Sequence, residues 1–224
     1  MKISAIIAAA GKGKRFNGGT DKVFLPINGT PLILMSLEVL LSVPEIDEVV
    51  IALNRNNMAL ANEYLRFDKV SFVEGGEERL LSVQNAVFKS RNDFVLIHDA
   101  ARPLITKSFV ESIISGLSDD SDGVIPVVSV KSTIKEKDEE GFVRKTIPRR
   151  NLVEVQTPQF FRKDILLKAY QSEYFNLNAT DESSIVEDAG GKVKTIKGIE
   201  ENIKVTTPFD YFMVDKIIEQ WKKE

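Results

Sequence analysis

Residues 3–22 read I-S-A-I-I-A-A-A-G-K-G-K-R-F-N-G-G-T-D-K, an apolar run from Ile3 to Ala8, with Ser4 its one polar member, that opens directly into a glycine-rich basic loop from Ala9 to Lys22. Continuous rather than alternating apolar residues describe a strand buried on both faces, as in a parallel sheet with helices above and below. Such a strand carries whatever follows it to the rim of the sheet. Here that is bendable backbone with four cations, Lys12, Lys14, Arg15 and Lys22. Within the first 20 residues Lys2, Lys12, Lys14 and Arg15 are the only charged side chains, although the whole chain holds 33 acidic against 30 basic residues. Backbone amides and cations gathered at one point make an anion site that suits a polyphosphate. The loop is not a Walker A motif, because no Gly-Lys-Ser/Thr stands at the required spacing, and it is not G-x-G-x-x-G, because only Gly11 and Gly13 fall in place. Taken alone, the alternative is a solvated strand-to-helix turn.

Working outward, the doubly buried pattern recurs at Val49 to Leu53 and at Phe94 to Ile97. Helical segments are expected at Pro31 to Val43, Asn57 to Arg66, Glu78 to Lys89 and Lys107 to Leu117, with further strands at Val70 to Val73 and Gly123 to Val128. Strand and helix therefore alternate, which predicts an α/β fold, a doubly wound and mostly parallel sheet. In that architecture ligands collect outside the carboxyl ends of the strands. The segments at those ends are Ala9 to Lys22, Gly75 to Ser82 and His98 to Pro103. Between about 129 and 155 the pattern changes to charged, hairpin-like sequence, which reads as a projecting β-arm: an active-site flap, a dimer clasp or a solvated hairpin. Thr207, Pro208 and Asp210 make a helix start with proline at the first helical position, running to about Trp221. No repeat or linker interrupts the chain, so one domain over 1–224 is expected.

Composition narrows the chemistry. The 224 residues contain no cysteine and one histidine, which excludes disulfides, thiolate zinc sites and paired-histidine mechanisms. A net charge of -3 argues against a nucleic-acid surface, and no apolar run approaches the ~20 residues of a membrane span. Lys2 and the small alanines resemble a secretory signal, but the apolar part is too short and runs straight into G-K-G-K-R, so a buried strand and a cytoplasmic protein are expected. Small-molecule partners follow.

At the rim, Asp99 and Arg102 lie in H-D-A-A-R-P, which follows the strand D-F-V-L-I. Asp99 is the best metal candidate, since magnesium binds through one or two carboxylates plus substrate phosphates and waters; the alternative is an ion pair with Arg102. His98 titrates near neutrality, yet strand alternation turns it away from the side that Asp99 faces, which makes it structural. Gly75 to Val83 is a second glycine turn entering a helix, where Gly76 and Ser82 could meet a base edge or ribose, or merely cap the helix. Pro158 marks a loop, and Thr180 to Glu182 a helix start. Lys204, Arg149 and Arg150 are each a solvated charge when taken singly. Gathered from distant segments around one Asp, such cations would suit transfer of a nucleotidyl group between two phosphorylated substrates.

Seven ordered strings resemble the 2-C-methylerythritol 4-phosphate cytidylyltransferase family: A-A-G-K-G-K-R with Lys22, G-G-E-E-R-L-L-S-V from Gly75, H-D-A-A-R-P from His98, Thr133 to Lys135, Q-T-P-Q-F-F from Gln156, T-D-E from Thr180 and N-I-K-V-T from Asn202. The resemblance implies a Rossmann-like nucleotidyltransferase fold and a homodimer clasped through the β-arm. It implies CTP and a phosphorylated polyol as substrates, with Mg2+ or another divalent cation as cofactor. It further implies that Arg15 and Lys22 grip the triphosphate, and that Ala9, Ala10, Gly11, Gly13, Gly76, Ser82 and Asp99 surround the nucleotide. Asp99, Arg102, Thr133, Arg149 and Lys204 would then hold the acceptor, some of them reaching from the arm of a partner subunit, with Arg15, Lys22, Arg149 and Lys204 as catalytic residues and Asp99 on the metal. Departures from the family pattern are Val23 in place of Gln, Ser132 in place of Asp, and Phe16-Asn17 in place of Met-Gly. Two alternatives remain open: a cytidylyltransferase for ribitol 5-phosphate or a similar polyol phosphate, whose string is H-D-S-V-R-P, and a non-catalytic nucleotide-binding module.

Overall fold

A computed structural model describes residues 1–11 and 22–222. Among these the elements run β1 (Ile3–Ala9), β2 (Pro26–Ile27), β3 (Thr30–Pro31), α1 (Leu32–Leu41), β4 (Ile46–Leu53), α2 (Met58–Tyr64), β5 (Val70–Glu74), α3 (Arg79–Lys89), β6 (Phe94–Asp99) and α4 (Lys107–Ser115). They continue as β7 (Gly123–Ser129), β8 (Ile134–Lys137), β9 (Val143–Ile147), β10 (Val153–Val155), β11 (Gln159–Arg162), α5 (Lys163–Gln171), α6 (Glu182–Asp188), β12 (Val193–Lys197) and α7 (Pro208–Trp221).

The central sheet has β5, β4, β1 and β6 side by side and parallel, with Ile6 of β1 opposite Val50 on one neighbour and Ile97 on the other. The strand order reverses at β1, so the loop after it opens into the crevice where ligands of such sheets bind. Beyond β6 the sheet turns mixed. β11 runs antiparallel to both β6 and β7, β10 pairs antiparallel with β7, and β12 pairs parallel with β7. The three apolar runs named from sequence are buried on both faces, as expected. Ile3, Ala5, Ile7 and Ala9 pack with Ile33 and Leu37 of α1 and Phe109 and Ile113 of α4, whereas Ile6 faces the opposite layer with Val83 of α3, Leu166 of α5 and Ile185 of α6. A smaller cluster of Ile27, Leu32, Leu104, Val205, Val214 and Ile218 holds α7 against the end of the sheet. Its start carries a full capping box: Thr207 accepts from the Asp210 amide, and Asp210 reaches back to the Thr207 amide behind Pro208.

The region expected as an arm divides in two. β8 and β9 pair only with each other, Ile134 opposite Ile147, and most of their side chains are exposed. Residues 153–155 belong instead to the central sheet, where they take up the end of β7 that β11 does not cover. Backbone groups on that stretch of β7 need partners. The side chains of Val153 to Val155 are exposed, so their apolar pattern carries no trace of this pairing.

Candidate active site

The carboxyl ends of β1, β5 and β6 deliver Ala10, Gly75 and Asp99 to one rim. Glycine is required at 75, because a Cβ there would collide with the Ala10 side chain and stand 2.8 Å from Ser82 Oγ. The close approach of these two turns forms the floor of a cavity of about 590 Å3, lined by Ala9, Ala10, Gly11, Lys22, Gly76, Ser82, Asp99 and Lys204. This is the size of an ordinary small-molecule site, roughly 300–1,000 Å3. The eight named residues are the described members of the nucleotide and lysine set expected from sequence. Gly13 and Arg15 lie outside the described residues.

Asp99 is the electrostatic centre. Only 5% of its surface is exposed, and its two oxygens are taken by different cations: Arg79 Nε donates to Oδ1 at 2.8 Å and Lys204 Nζ to Oδ2 at 2.6 Å. Arg102 Nε stands 3.8 Å from Oδ2, so the expected Asp99–Arg102 pair exists but is the longest of the three. Burial alone would raise the Asp99 carboxyl, but Arg79, Lys204 and Arg102 outweigh it and hold the group well below the usual carboxylate range. The carboxylate is therefore permanently charged at neutral pH. Arg102 is anchored by donating to the Asn202 carbonyl at 2.7 Å.

His98 is fully buried on the opposite face of β6, as strand alternation requires. Its Nε2 faces the Arg102 carbonyl at 3.0 Å, an acceptor, so Nε2 carries the proton and Nδ1 accepts from the Thr157 hydroxyl at 3.1 Å. Thr157 Oγ1 in turn accepts from the Asp99 amide at 3.1 Å. Burial pushes the His98 pKa down to about 4, so the ring is neutral and serves to hold the turn that carries Asp99 and Arg102.

A second cavity adjoins the first and shares its wall of Arg79, Asp99 and Lys204; Arg102, Thr157 and Thr180 are among its other lining residues. Thr133 and Arg149, expected to meet the acceptor, line neither cavity: both are exposed on or beside the β8–β9 hairpin, and Arg149 Nη1 donates to the Lys131 carbonyl. Lys22 Nζ donates to the Val205 carbonyl at 2.6 Å, which ties the start of the chain to the segment carrying Lys204.

Sequence reasoning passed over Arg79 and Glu182. Arg79 is visible as the third residue after Gly76 in the first turn of a rim helix, but its partner Glu182 is 103 positions away, and only the fold shows that they meet. No helix among the described residues is long and apolar enough to cross a membrane.

Comparison with known proteins gives the family. The family model described as 2-C-methyl-D-erythritol 4-phosphate cytidylyltransferase matches residues 3–220. The enzyme of that name from Fusobacterium nucleatum is 43% identical over 216 residues, covering 93% of this chain and 94% of the relative. Its namesake from Dehalococcoides mccartyi is 38% identical, covering 98% and 97%. Among solved structures, the 4-diphosphocytidyl-2C-methyl-D-erythritol synthase of Anaerococcus prevotii aligns with a TM-score of 0.84 at 28% identity, covering 97% of this chain and 98% of that one. The bifunctional IspDF of Campylobacter jejuni aligns with a TM-score of 0.81 at 28% identity, covering 95% of this chain and 54% of the larger protein. The chain belongs to the 2-C-methyl-D-erythritol 4-phosphate cytidylyltransferase family, and with it to the enzymes of CTP-dependent cytidylyl transfer in isoprenoid synthesis.

Proposed function

We propose that the first cavity holds CTP, that the second holds the polyol portion of 2-C-methyl-D-erythritol 4-phosphate, and that the reacting atoms meet at the wall of Arg79, Asp99 and Lys204. The observation that carries this reading is the shared wall, where Arg79 and Lys204 meet one buried carboxylate, with Arg102 beside it in the second cavity. An oxygen of the acceptor phosphate attacks the α-phosphorus of CTP. A new P–O bond forms, the bond to the β-phosphate oxygen breaks, and pyrophosphate leaves with the electron pair. A phosphate monoester has its second pKa near ~6 and is mostly dianionic at pH 7, so no base is needed. That suits a site whose histidine is buried, neutral and committed on both nitrogens. The barrier is repulsion between anions, and catalysis is in-line positioning with charge stabilisation. Lys22 and Lys204 supply the positive charge along the triphosphate, joined by Arg15.

Magnesium fits the chemistry of this wall. Asp99 offers one hard oxygen donor group, and among the described residues no three acidic or histidine side chains cluster as a cage. The ion would take its other oxygens from phosphates and water. When bound it neutralises phosphate charge; Asp99 would hold it, with Lys204 giving up its place on Oδ2.

Thr133 and Arg149 line neither cavity of their own chain and act from the arm of a second copy, on the acceptor phosphate. The whole chain acts as one domain of a homodimer, in the cytoplasm where CTP is at hand. The test is pyrophosphate release with magnesium and CTP, comparing 2-C-methyl-D-erythritol 4-phosphate, ribitol 5-phosphate and no acceptor. Release that depends on the first acceptor is expected. Release that depends on the second moves the enzyme to polyol-phosphate activation, and CTP binding without release from either leaves a non-catalytic nucleotide binder.

A further inference from the structure

Glu182, the first residue of α6, is completely buried, and Arg79 Nη1 donates to both of its oxygens, at 2.9 and 2.8 Å. The same guanidinium donates through Nε to Asp99 Oδ1 at 2.8 Å. One side chain thus ties the first turn of α3 to the end of β6 and the start of α6. Two of its three nitrogens are used; among the described residues Nη2 has no hydrogen-bond partner. The side chain is 27% exposed, and it lines both cavities.

A structural staple would not need this arrangement. A buried ion pair contributes little net stability over well-packed apolar residues of the same size, because both charges lose their hydration. Holding a cation at a cavity wall with a free donor is a different task. A carboxylate sealed from water on Nη1 and a second carboxylate on Nε together fix the plane of the guanidinium and leave the third nitrogen for a ligand. Anions are the ligands such a donor selects.

We propose that Arg79 is a catalytic residue whose Nη2 contacts the α-phosphate of the bound nucleotide where the two cavities meet, and that Glu182 is its positioning residue. This rests on reading the shared wall as the place of cytidylyl transfer. Arg79 touches the phosphate directly; Glu182 acts only through Arg79 and never meets the substrate.

The test has two arms. Kinetics are measured on Arg79→Lys, Glu182→Gln and the double variant, with thermal unfolding as the check on folding. Arg79→Lys is expected to lower kcat by about 100-fold with KM for CTP within about 3-fold, the split that marks a contact made in the transition state. Glu182→Gln is expected to lower kcat by about 10-fold, with the double variant no worse than Arg79→Lys alone, because the second residue works through the first. Guanidinium at sub-denaturing concentration should restore turnover to Arg79→Ala and not to Lys22→Ala. In the second arm, the wild type labelled with [15N]arginine is titrated with CTP, and the Arg79 side-chain resonance, identified by its absence from Arg79→Lys or by its displacement in Glu182→Gln, is expected to move. A folded Arg79→Lys enzyme with near-normal kcat, multiplicative losses in the double variant, or a resonance unmoved by CTP in an active enzyme overturns the proposal. A resonance that moves with CTP in a protein that releases no pyrophosphate with any acceptor overturns the transfer reading and leaves the phosphate contact standing.

Discussion

Two buried carboxylate networks stand at opposite ends of the same sheet, and they are built to opposite designs. At the amino end, Glu48 of β4 is 5% exposed and accepts from Ser4 Oγ at 2.6 Å, from the Arg91 amide at 2.6 Å and from Arg91 Nε at 2.9 Å. The Arg91 side chain is 75% exposed, so its ion pair is screened and the two hydrogen bonds from Ser4 and the amide do most of the holding. Neither of the two cavities is lined by this carboxylate, and here one acid faces one base. At the carboxyl end, Asp99 and Glu182 are joined by ion pairs to Arg79, Arg102 and Lys204, and two cavities open on Asp99 and Arg79. The first network closes the sheet. The second keeps three cations on one carboxylate in the walls of two cavities, where a ligand can reach them.

The comparison breaks most visibly if the rim can be neutralised without loss. Asp99→Asn is expected to lower turnover by at least about 100-fold and to raise the magnesium concentration for half-maximal activity, since it strips a charged donor from the centre of the cluster. A magnesium titration of the folded variant checks both, and an unchanged half-saturation would remove Asp99 from the metal. Lys22→Ala is expected to lower turnover by about 100-fold, close to ~3 kcal/mol, with little change in melting temperature. Near-normal turnover would remove Lys22 from the reaction.

At the other end the effect should fall on stability alone. Glu48→Gln is expected to cost about 1–3 kcal/mol of unfolding free energy, the range for an impaired buried hydrogen-bond acceptor, with kcat unchanged. Acid sharpens the contrast. Burial would raise the Glu48 carboxyl, but the bonds from Ser4 and Arg91 outweigh it and depress the folded-state value below the ordinary 4.5. Its stabilisation is therefore complete above that value and is lost as pH falls through the lower, folded one, so the wild type should lose more stability than Glu48→Gln over that fall. Glu182 has the opposite sign: burial raises its pKa despite Arg79, so acid favours the folded protonated form there and that residue adds nothing to acid lability. Denaturant melts from neutral to acid pH on both variants measure this directly. The smallest effect expected is that of Arg149→Ala, about a 10-fold rise in KM for the acceptor with CTP binding unchanged, the ~1.4 kcal/mol of one exposed charged contact. Equal weakening of both substrates would take Arg149 out of the acceptor site.

Much of this was legible in the chain. Asp99 and Lys22 could be placed on the rim because each lies beyond a strand whose continuous apolar run marks it as buried, Gly76 and Ser82 because their glycine turn follows the next strand of the same alternation, and strand ends in a doubly wound sheet share one edge. His98 could be assigned away from the site because side chains alternate along a strand. The short strand Gln159–Arg162 and the pairing of Val153 to Val155 escaped, since a few residues carry no readable period and exposed valines resemble those of a free hairpin. Gly75 was quoted in its motif, yet the reason it must be glycine, contact with Ala10 and Ser82, is tertiary.

The alternation of strands and helices from Ile3 to Val128, the basic glycine loop at the first strand end and the absence of thiol or multi-histidine chemistry were determined by the sequence alone, because each rests on local period or on composition. The junction of Arg79 with Glu182, the tie of Lys22 to Val205, and the meeting of Lys204 with Asp99 were decided only by the tertiary structure. These partners are separated by 103, 183 and 105 positions, and a contact across such a span follows from how strands order themselves in the sheet rather than from any spacing along the chain.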